Sequence, residues 1–262
     1  VVINARDITE RLKEQAVMLD SEEQFRVASE IQQHLFPRKA PELDGFDIAG
    51  ASKPAAATGG DYFDYLTTSD NQLALAIGDV SGHGIGPAML MAETRAYLRL
   101  LARNRNDLSL ILTRANTMMG EDVGKERFVT MLLAKLDPEK RTLVHASAGH
   151  SPAFVLGPDG EVKSELRRTG MPLGVMPDAE YNVSRHMRLA KGDVLVLLTD
   201  GLEEATNPEG ELFGTGRILE AVHKSRQLKA AKIVKSVFEA LENFSGKAEQ
   251  LDDLTMIVAK AQ

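Results

Sequence analysis

Between Asp7 and Phe36 the chain runs without glycine or proline, and Ile8, Leu12, Leu19, Phe25, Ala28, Ile31 and Leu35 recur at roughly helical spacing among polar residues. This predicts one long amphipathic helix ending before Pro37. Its repeat is too irregular for a strong coiled coil. From Phe46 the period shortens. Strand-length apolar runs appear at Phe46–Ala51, Tyr62–Leu66, Leu73–Asp79, Phe128–Leu136, Thr142–Ala148, Ala153–Leu156, Tyr181–Leu189, Val194–Thr199 and Leu254–Lys260. Turn signals such as Ser69-Asp70-Asn71 and Pro158-Asp159-Gly160 separate many of them. Helical patterns return as two pairs, Pro87–Ala102 with Leu108–Met119 and Thr215–Ser225 with Ala230–Asn243. Strands in runs and helices in pairs predict an α+β domain rather than a βαβ repeat.

Composition narrows the chemistry. There is no cysteine among the 262 residues, which excludes disulfides, thiolate metal sites and a cysteine nucleophile. A net charge of −7 disfavours nucleic acid as a partner. The sequence has no apolar run of membrane-spanning length and no signal-peptide core, so a cytoplasmic location is expected. The chain begins with Val1 rather than methionine, as expected of a piece of a longer protein.

Four aspartates sit at predicted strand ends. Asp61 opens one strand and Asp79 closes the next, so a hairpin about Ser69-Asp70-Asn71 sets them opposite each other. Asp200 closes the run Val194–Thr199, and Asp252 precedes the run from Leu254; antiparallel neighbours bring these two together as well. Any one of the four, alone, reads as readily as a turn or cap residue. Four clustered carboxylates need protons or cations to neutralise them. An all-oxygen site selects a hard cation, Mg²⁺ or Mn²⁺, and two such ions can polarise a phosphoryl oxygen and acidify a shared water. The glycines of Gly59-Gly60-Asp61 and of the stretch Gly78 to Gly86 allow backbone to approach such a site closely. The second stretch is no P-loop, because no Gly-Lys-Ser/Thr follows. Gly59-Gly60-Asp61-Tyr62-Phe63 lacks the second acid that a diguanylate-cyclase signature needs at Tyr62.

Several stretches occur in the order and spacing of a known family: Leu35-Phe36-Pro37, Gly59-Gly60-Asp61-Tyr62-Phe63-Asp64, Gly78 to Gly86, Phe128-Val129-Thr130-Met131, Ala148-Gly149-His150-Ser151-Pro152, Gly170-Met171-Pro172-Leu173-Gly174, Thr199-Asp200-Gly201-Leu202 and Asp252-Asp253-Leu254-Thr255. Over roughly Glu22 to Ala259 the chain resembles the SpoIIE/RsbU branch of the PPM (PP2C-like) serine/threonine protein phosphatases. The resemblance implies an α–β–β–α sandwich of two antiparallel sheets with two divalent metals, Mn²⁺ or Mg²⁺, at one end. It implies catalysis by Asp61, Asp79 and Asp200. Asp79 would bridge the metals, helped by the Val80 carbonyl. Asp200 and Asp252 would hold the first metal, with Asp253 as the alternative to Asp252, and Asp61 would serve the second. All four acidic positions are filled, which argues against an inactive relative. The implied substrate is a phosphorylated regulatory protein, a STAS-type anti-sigma-factor antagonist.

One departure concerns phosphate. Many eukaryotic relatives place an arginine upstream of the first acidic motif, where Ala55-Ala56-Ala57 stands here with Lys53 nearby. Two histidines invite catalytic roles. His83, in the metal loop, is a proton donor or a loop residue, and His150 reads as structural. Arg6-Asp7-Ile8-Thr9-Glu10-Arg11 resembles the end of PAS sensory domains. The expected organisation is therefore a PAS remnant over 1–8, a signalling linker helix over 9–37 that pairs two chains into a homodimer, and a phosphatase domain over 38–262. The competing reading is a regulatory partner-binding module whose metal is only structural.

Overall fold

The computed structural model describes residues 9–82, 84–122 and 127–262. Helix α1 (Thr9–Leu35) leads into strands β1 (Phe46–Lys53), β2 (Tyr62–Thr67) and β3 (Leu73–Val80). Helices α2 (Ile85–Asn104) and α3 (Leu108–Asp122) follow, then β4 (Val129–Asp137), β5 (Thr142–Ala148), β6 (Ala153–Leu156), β7 (Val162–Leu166), β8 (Met187–Arg188) and β9 (Val194–Leu198). The chain ends with α4 (Asp200–Glu204), α5 (Gly214–Ser225), α6 (Ala230–Ser245) and β10 (Leu254–Ala261). One five-stranded sheet runs β1-β10-β9-β6-β7 and the other β2-β3-β4-β5-β8. All of their strand pairings are antiparallel.

The four layers follow from side-chain alternation, which sends successive residues of a strand to opposite faces. In β3, Ala74 and Ala76 face the core shared with α2 and α3, while Leu75 and Ile77 face the other sheet. In β10, Met256 and Val258 pack toward α5 and α6, while Ile257 and Ala259 enter the core between the sheets. Strands buried on both faces read as unbroken apolar runs, which is why these were visible in sequence. Each fully buried Leu or Ile contributes about 1.5–3 kcal/mol.

One predicted strand is shortened and one strand was not predicted. Tyr181–Leu189 forms a strand only at Met187–Arg188, on the edge beside β5. Tyr181 belongs to the core under α2 and α3, whereas Met187 and Leu189 pack between the sheets. A straight strand keeps 181, 187 and 189 on one face, so the segment has to cross the sheet edge instead. Strand β7 went unpredicted because it is a mostly exposed edge with no apolar alternation. The PAS-like expectation for 1–8 lies outside the described residues. On α1, Met18, Leu19, Phe25, Val27 and Ile31 remain exposed, Leu19 at 64% and Ile31 at 59%. No helix among the described residues is long and apolar enough to cross a membrane.

A buried ionic network ties β2 to α2. The Asp64 carboxylate, fully enclosed, accepts from Arg99 Nε at 2.6 Å and Nη2 at 2.8 Å, from the Tyr62 hydroxyl at 2.9 Å and from the Tyr65 amide at 2.8 Å. Removing Asp64 strands the buried Tyr62 hydroxyl, while the part-exposed Arg99 turns to water. Asp64→Ala is expected to cost about 3 kcal/mol, read as a lower midpoint with an unchanged slope in urea unfolding. Loss under about 0.5 kcal/mol, the scale of an ordinary surface substitution, would refute the network's importance.

Candidate metal centre

The strand registers deliver the predicted convergence. Tyr62 pairs with Gly78, which sets Asp61 opposite Asp79 at the open end of the β2–β3 hairpin. In the other sheet Met256 pairs with Leu198, and the Thr199 amide donates to the Thr255 carbonyl at 3.0 Å. Asp200 then begins α4 beside the Asp252-Asp253 turn that feeds β10. A hydroxyl links the two sheets beside these acids. Thr199 Oγ1 donates to Asp61 Oδ2 at 2.8 Å and accepts from the Thr255 amide at 3.1 Å.

Backbone crowding explains the glycines. A Cβ on residue 60 would lie 2.6 Å from the Val80 carbonyl oxygen and 2.9 Å from Asp79 Oδ1. A Cβ on residue 201 would lie 2.1 Å from the Asp253 carbonyl oxygen. A side chain at 60 would crowd the Asp79 carboxylate, and one at 201 would collide with the backbone of the Asp252-Asp253 turn.

Electrostatics separates the acids into two groups. Asp79 is pushed up to about 8, by burial first and then by the Asp200, Asp252 and Asp253 carboxylates. Asp61 lies well above the usual carboxylate range, through burial and the charge of Asp79. Asp252 is raised by partial burial of its carboxyl, with Asp200, Asp253 and Glu204 adding to it. These acids share one field of negative charge, which protons or cations must offset. Asp253 is committed differently. Its Oδ1 accepts from the Ala55 amide at 2.8 Å and its Oδ2 from the Asp61 amide at 3.3 Å, so it braces the 55–61 loop.

His150 is buried and structural. Its Nε2 lies 3.1 Å from the Leu198 carbonyl and its Nδ1 2.9 Å from Thr130 Oγ1. Burial, more than the nearby Arg168, pushes the imidazole down to about 4. The ring is therefore neutral. Because a carbonyl only accepts, Nε2 carries the proton and Nδ1 accepts from the Thr130 hydroxyl. The ring thus pins β4 to the end of β9, two residues before Asp200. His83 lies outside the described residues. Lys53 Nζ sits 3.2 Å from Glu242 Oε1 rather than among the aspartates' hydrogen-bond partners.

Two contributors escaped sequence reading. Thr199 had a signal, its place between an apolar run and Asp200. Gln32 had none. It lies buried near the end of α1, donating to the Gly59 carbonyl at 2.6 Å and accepting from the Gly59 amide at 3.0 Å, across 27 residues of sequence.

Residues 69–262 match the family described as Stage II sporulation protein E (SpoIIE). The chain belongs to the SpoIIE family. Among curated relatives it is 28% identical to phosphoserine phosphatase RsbU of Bacillus subtilis (strain 168), over 90% of this chain and 70% of RsbU. It is also 28% identical to Protein IcfG of Synechocystis sp., over 87% of this chain and 40% of IcfG. The chain thus spans less than half of IcfG. The SiaA-PP2C domain of Pseudomonas aeruginosa superposes with a TM-score of 0.79 at 23% identity, covering 94% of this chain and 98% of that domain. RsbX, solved in complex with magnesium, gives 0.61 at 21% identity over 86% of this chain and 99% of its own. The SiaA-PP2C domain thus shares this architecture of two antiparallel sheets between helix pairs.

The site's donors suit a hard divalent cation. They are all oxygen, several are acids raised by burial and then by mutual repulsion, and Gly60 keeps a cradle open at Asp79 and Val80. Among the described residues no three acids or histidines already close around a single point.

Proposed function

We propose that this chain is a protein serine/threonine phosphatase that hydrolyses phosphoserine or phosphothreonine on a regulatory protein. The observation that carries this reading is the convergence of Asp61, Asp79, Asp200 and Asp252 from the ends of two different sheets onto one crowded acidic patch. Two divalent cations, Mn²⁺ or Mg²⁺, fit there. Asp79 and the Val80 carbonyl would serve both, Asp200 and Asp252 the first, and Asp61 the second. With both Asp253 oxygens engaged by backbone amides, Asp252 is the better ligand. When bound, the metals supply Lewis-acid polarisation of the phosphoryl group and acidify water.

The chain's own part is positional. Thr199 fixes the Asp61 carboxylate, His150 fixes the approach to Asp200, and Gly60 keeps side-chain carbon out of the cradle. The resemblance to the SpoIIE/RsbU branch points to a STAS-type antagonist as substrate and to control by a sensor domain upstream of α1. The exposed apolar residues of α1 fit pairing of two chains into a homodimer.

The deciding experiment measures phosphate release from a phosphoserine protein, a nucleoside triphosphate and para-nitrophenyl phosphate, with Mn²⁺ and with EDTA. Turnover of the phosphoprotein and the aryl phosphate, lost in EDTA and restored by Mn²⁺, is expected. Failure to turn over any phosphate ester with metal bound would favour the partner-binding module, and turnover of nucleotides alone a nucleotide hydrolase.

A further inference from the structure

A groove of ≈ 330 Å³ opens directly from the acidic centre, between α4 and the C-terminal end of α6. Gly201 and Asp252 line its inner end, and Leu241 and Leu254 give it an apolar floor. Its wall is held in place by Gln250, whose Nε2 donates to the Lys53 and Asp252 carbonyls, each at 2.9 Å. At the rim, Leu251 stands 78% exposed.

The charge along this groove is one-sided. Glu204, Glu242 and Glu249 line it, and Lys53 is the one cation among its described lining residues. Lys53 is already engaged with Glu242. Glu204 and Glu249 therefore have no cation in the groove. Metals at the aspartates would neutralise Asp252 but leave these two glutamates facing solvent. A phosphorylated chain whose phosphoserine reaches the metals has to lay its neighbouring residues on some surface continuous with the site, and this groove is such a surface. Its apolar floor suits main chain and aliphatic stem, and its uncompensated glutamates suit a cation at the stem's end.

We infer that this groove seats the substrate segment flanking the phosphoserine and selects a lysine or arginine within it, an inference that rests on the phosphatase reading above. The test uses the full chain loaded with Mn²⁺. Fluorescent phosphoserine peptides carry Lys, Ala or Glu in turn at each of the four positions on either side of the phosphoserine. Affinity is measured by anisotropy, and para-nitrophenyl phosphate turnover is followed on the same samples. At one or two positions Lys is expected to bind about fivefold tighter than Ala, and Glu weaker. In Glu249→Lys, or in Glu204→Lys, that order reverses at the same positions, while para-nitrophenyl phosphate turnover in Glu249→Lys stays at the wild-type rate. Equal affinity for Lys, Ala and Glu peptides at every position overturns the inference, as does a lysine preference that survives in both variants. Absent aryl phosphate turnover with the charge preference intact would instead sink the phosphatase reading and leave the groove assignment standing.

Discussion

Asp79→Asn is expected to lower phosphoserine and para-nitrophenyl phosphate hydrolysis on the order of a thousandfold while leaving the fold intact. The Asp79 carboxylate sits where the fields of Asp200, Asp252 and Asp253 overlap, and burial with those charges pushes it up to about 8. In the metal-free protein near neutral pH the carboxyl is therefore largely protonated, a neutral form that asparagine imitates. Asparagine keeps the shape and removes the charge, so the metal-free variant should unfold no earlier than wild type. What it loses is affinity for the cation. Wild type gains thermal stability with added Mn²⁺ according to its occupancy, by about 2.7 kcal/mol at a hundredfold excess over Kd. The variant should gain far less. Thermal unfolding with and without Mn²⁺, alongside rates, separates the two effects. Normal rates in Asp79→Asn with Mn²⁺ stabilisation unchanged would remove Asp79 from the metal centre. A variant that unfolds early without metal would instead make Asp79 a structural residue.

The hairpin carrying Asp61 and Asp79 was legible because both strands are apolar and a polar turn of obvious type joins them. The Asp200–Asp252 pairing was legible for the same reason, since β9 and β10 are buried on both faces and leave unbroken apolar runs. Legibility failed where burial is one-sided or absent. Strand β7 lies exposed at an edge, and the Tyr181–Leu189 segment passes from one core to another, so its alternation describes two surfaces at once. Helix α4 is a single short turn set by its place after β9, with too few residues to show a period. The site's supporting bonds were the least legible part. Thr199 to Asp61, His150 to Leu198 and Gln32 to Gly59 each join residues far apart in sequence, and nothing local distinguishes a threonine, histidine or glutamine that will make such a bond. Asp253 shows the same limit from the other side. Its neighbour Asp252 is identical in type, and only the backbone amides of Ala55 and Asp61 distinguish their tasks.

Gln32→Ala is expected to reduce phosphatase activity about tenfold and to lower the domain's stability by about 2 kcal/mol. The amide of Gln32 both donates to and accepts from Gly59, the residue before Gly60 and two before Asp61. The same end of α1 is held by Arg95 Nε donating to the Leu35 carbonyl at 2.9 Å, and Phe36 stacks on Phe63 with ring centroids 5.5 Å apart. Arg95 belongs to α2, which begins just after the loop at Asp79, so one helix end touches the first acidic motif and the helix that follows the second. Losing two buried hydrogen bonds of ordinary strength, about 1 kcal/mol each net, frees the 55–61 loop without opening a core. An order of magnitude in rate corresponds to about 1.4 kcal/mol of misplacement at Asp61. If α1 conveys a signal, it does so by biasing two arrangements of this packed end, and its exposed apolar residues are where a second chain would bind. Leu19→Lys with Phe25→Lys should then shift oligomeric state by light scattering and change the rate in the same samples. Such a shift with an unaltered rate, together with full activity in Gln32→Ala, would reduce α1 to a tether. Activity lost in Gln32→Ala but untouched by oligomeric state would keep the clamp on Gly59 and discard the paired helix as its driver.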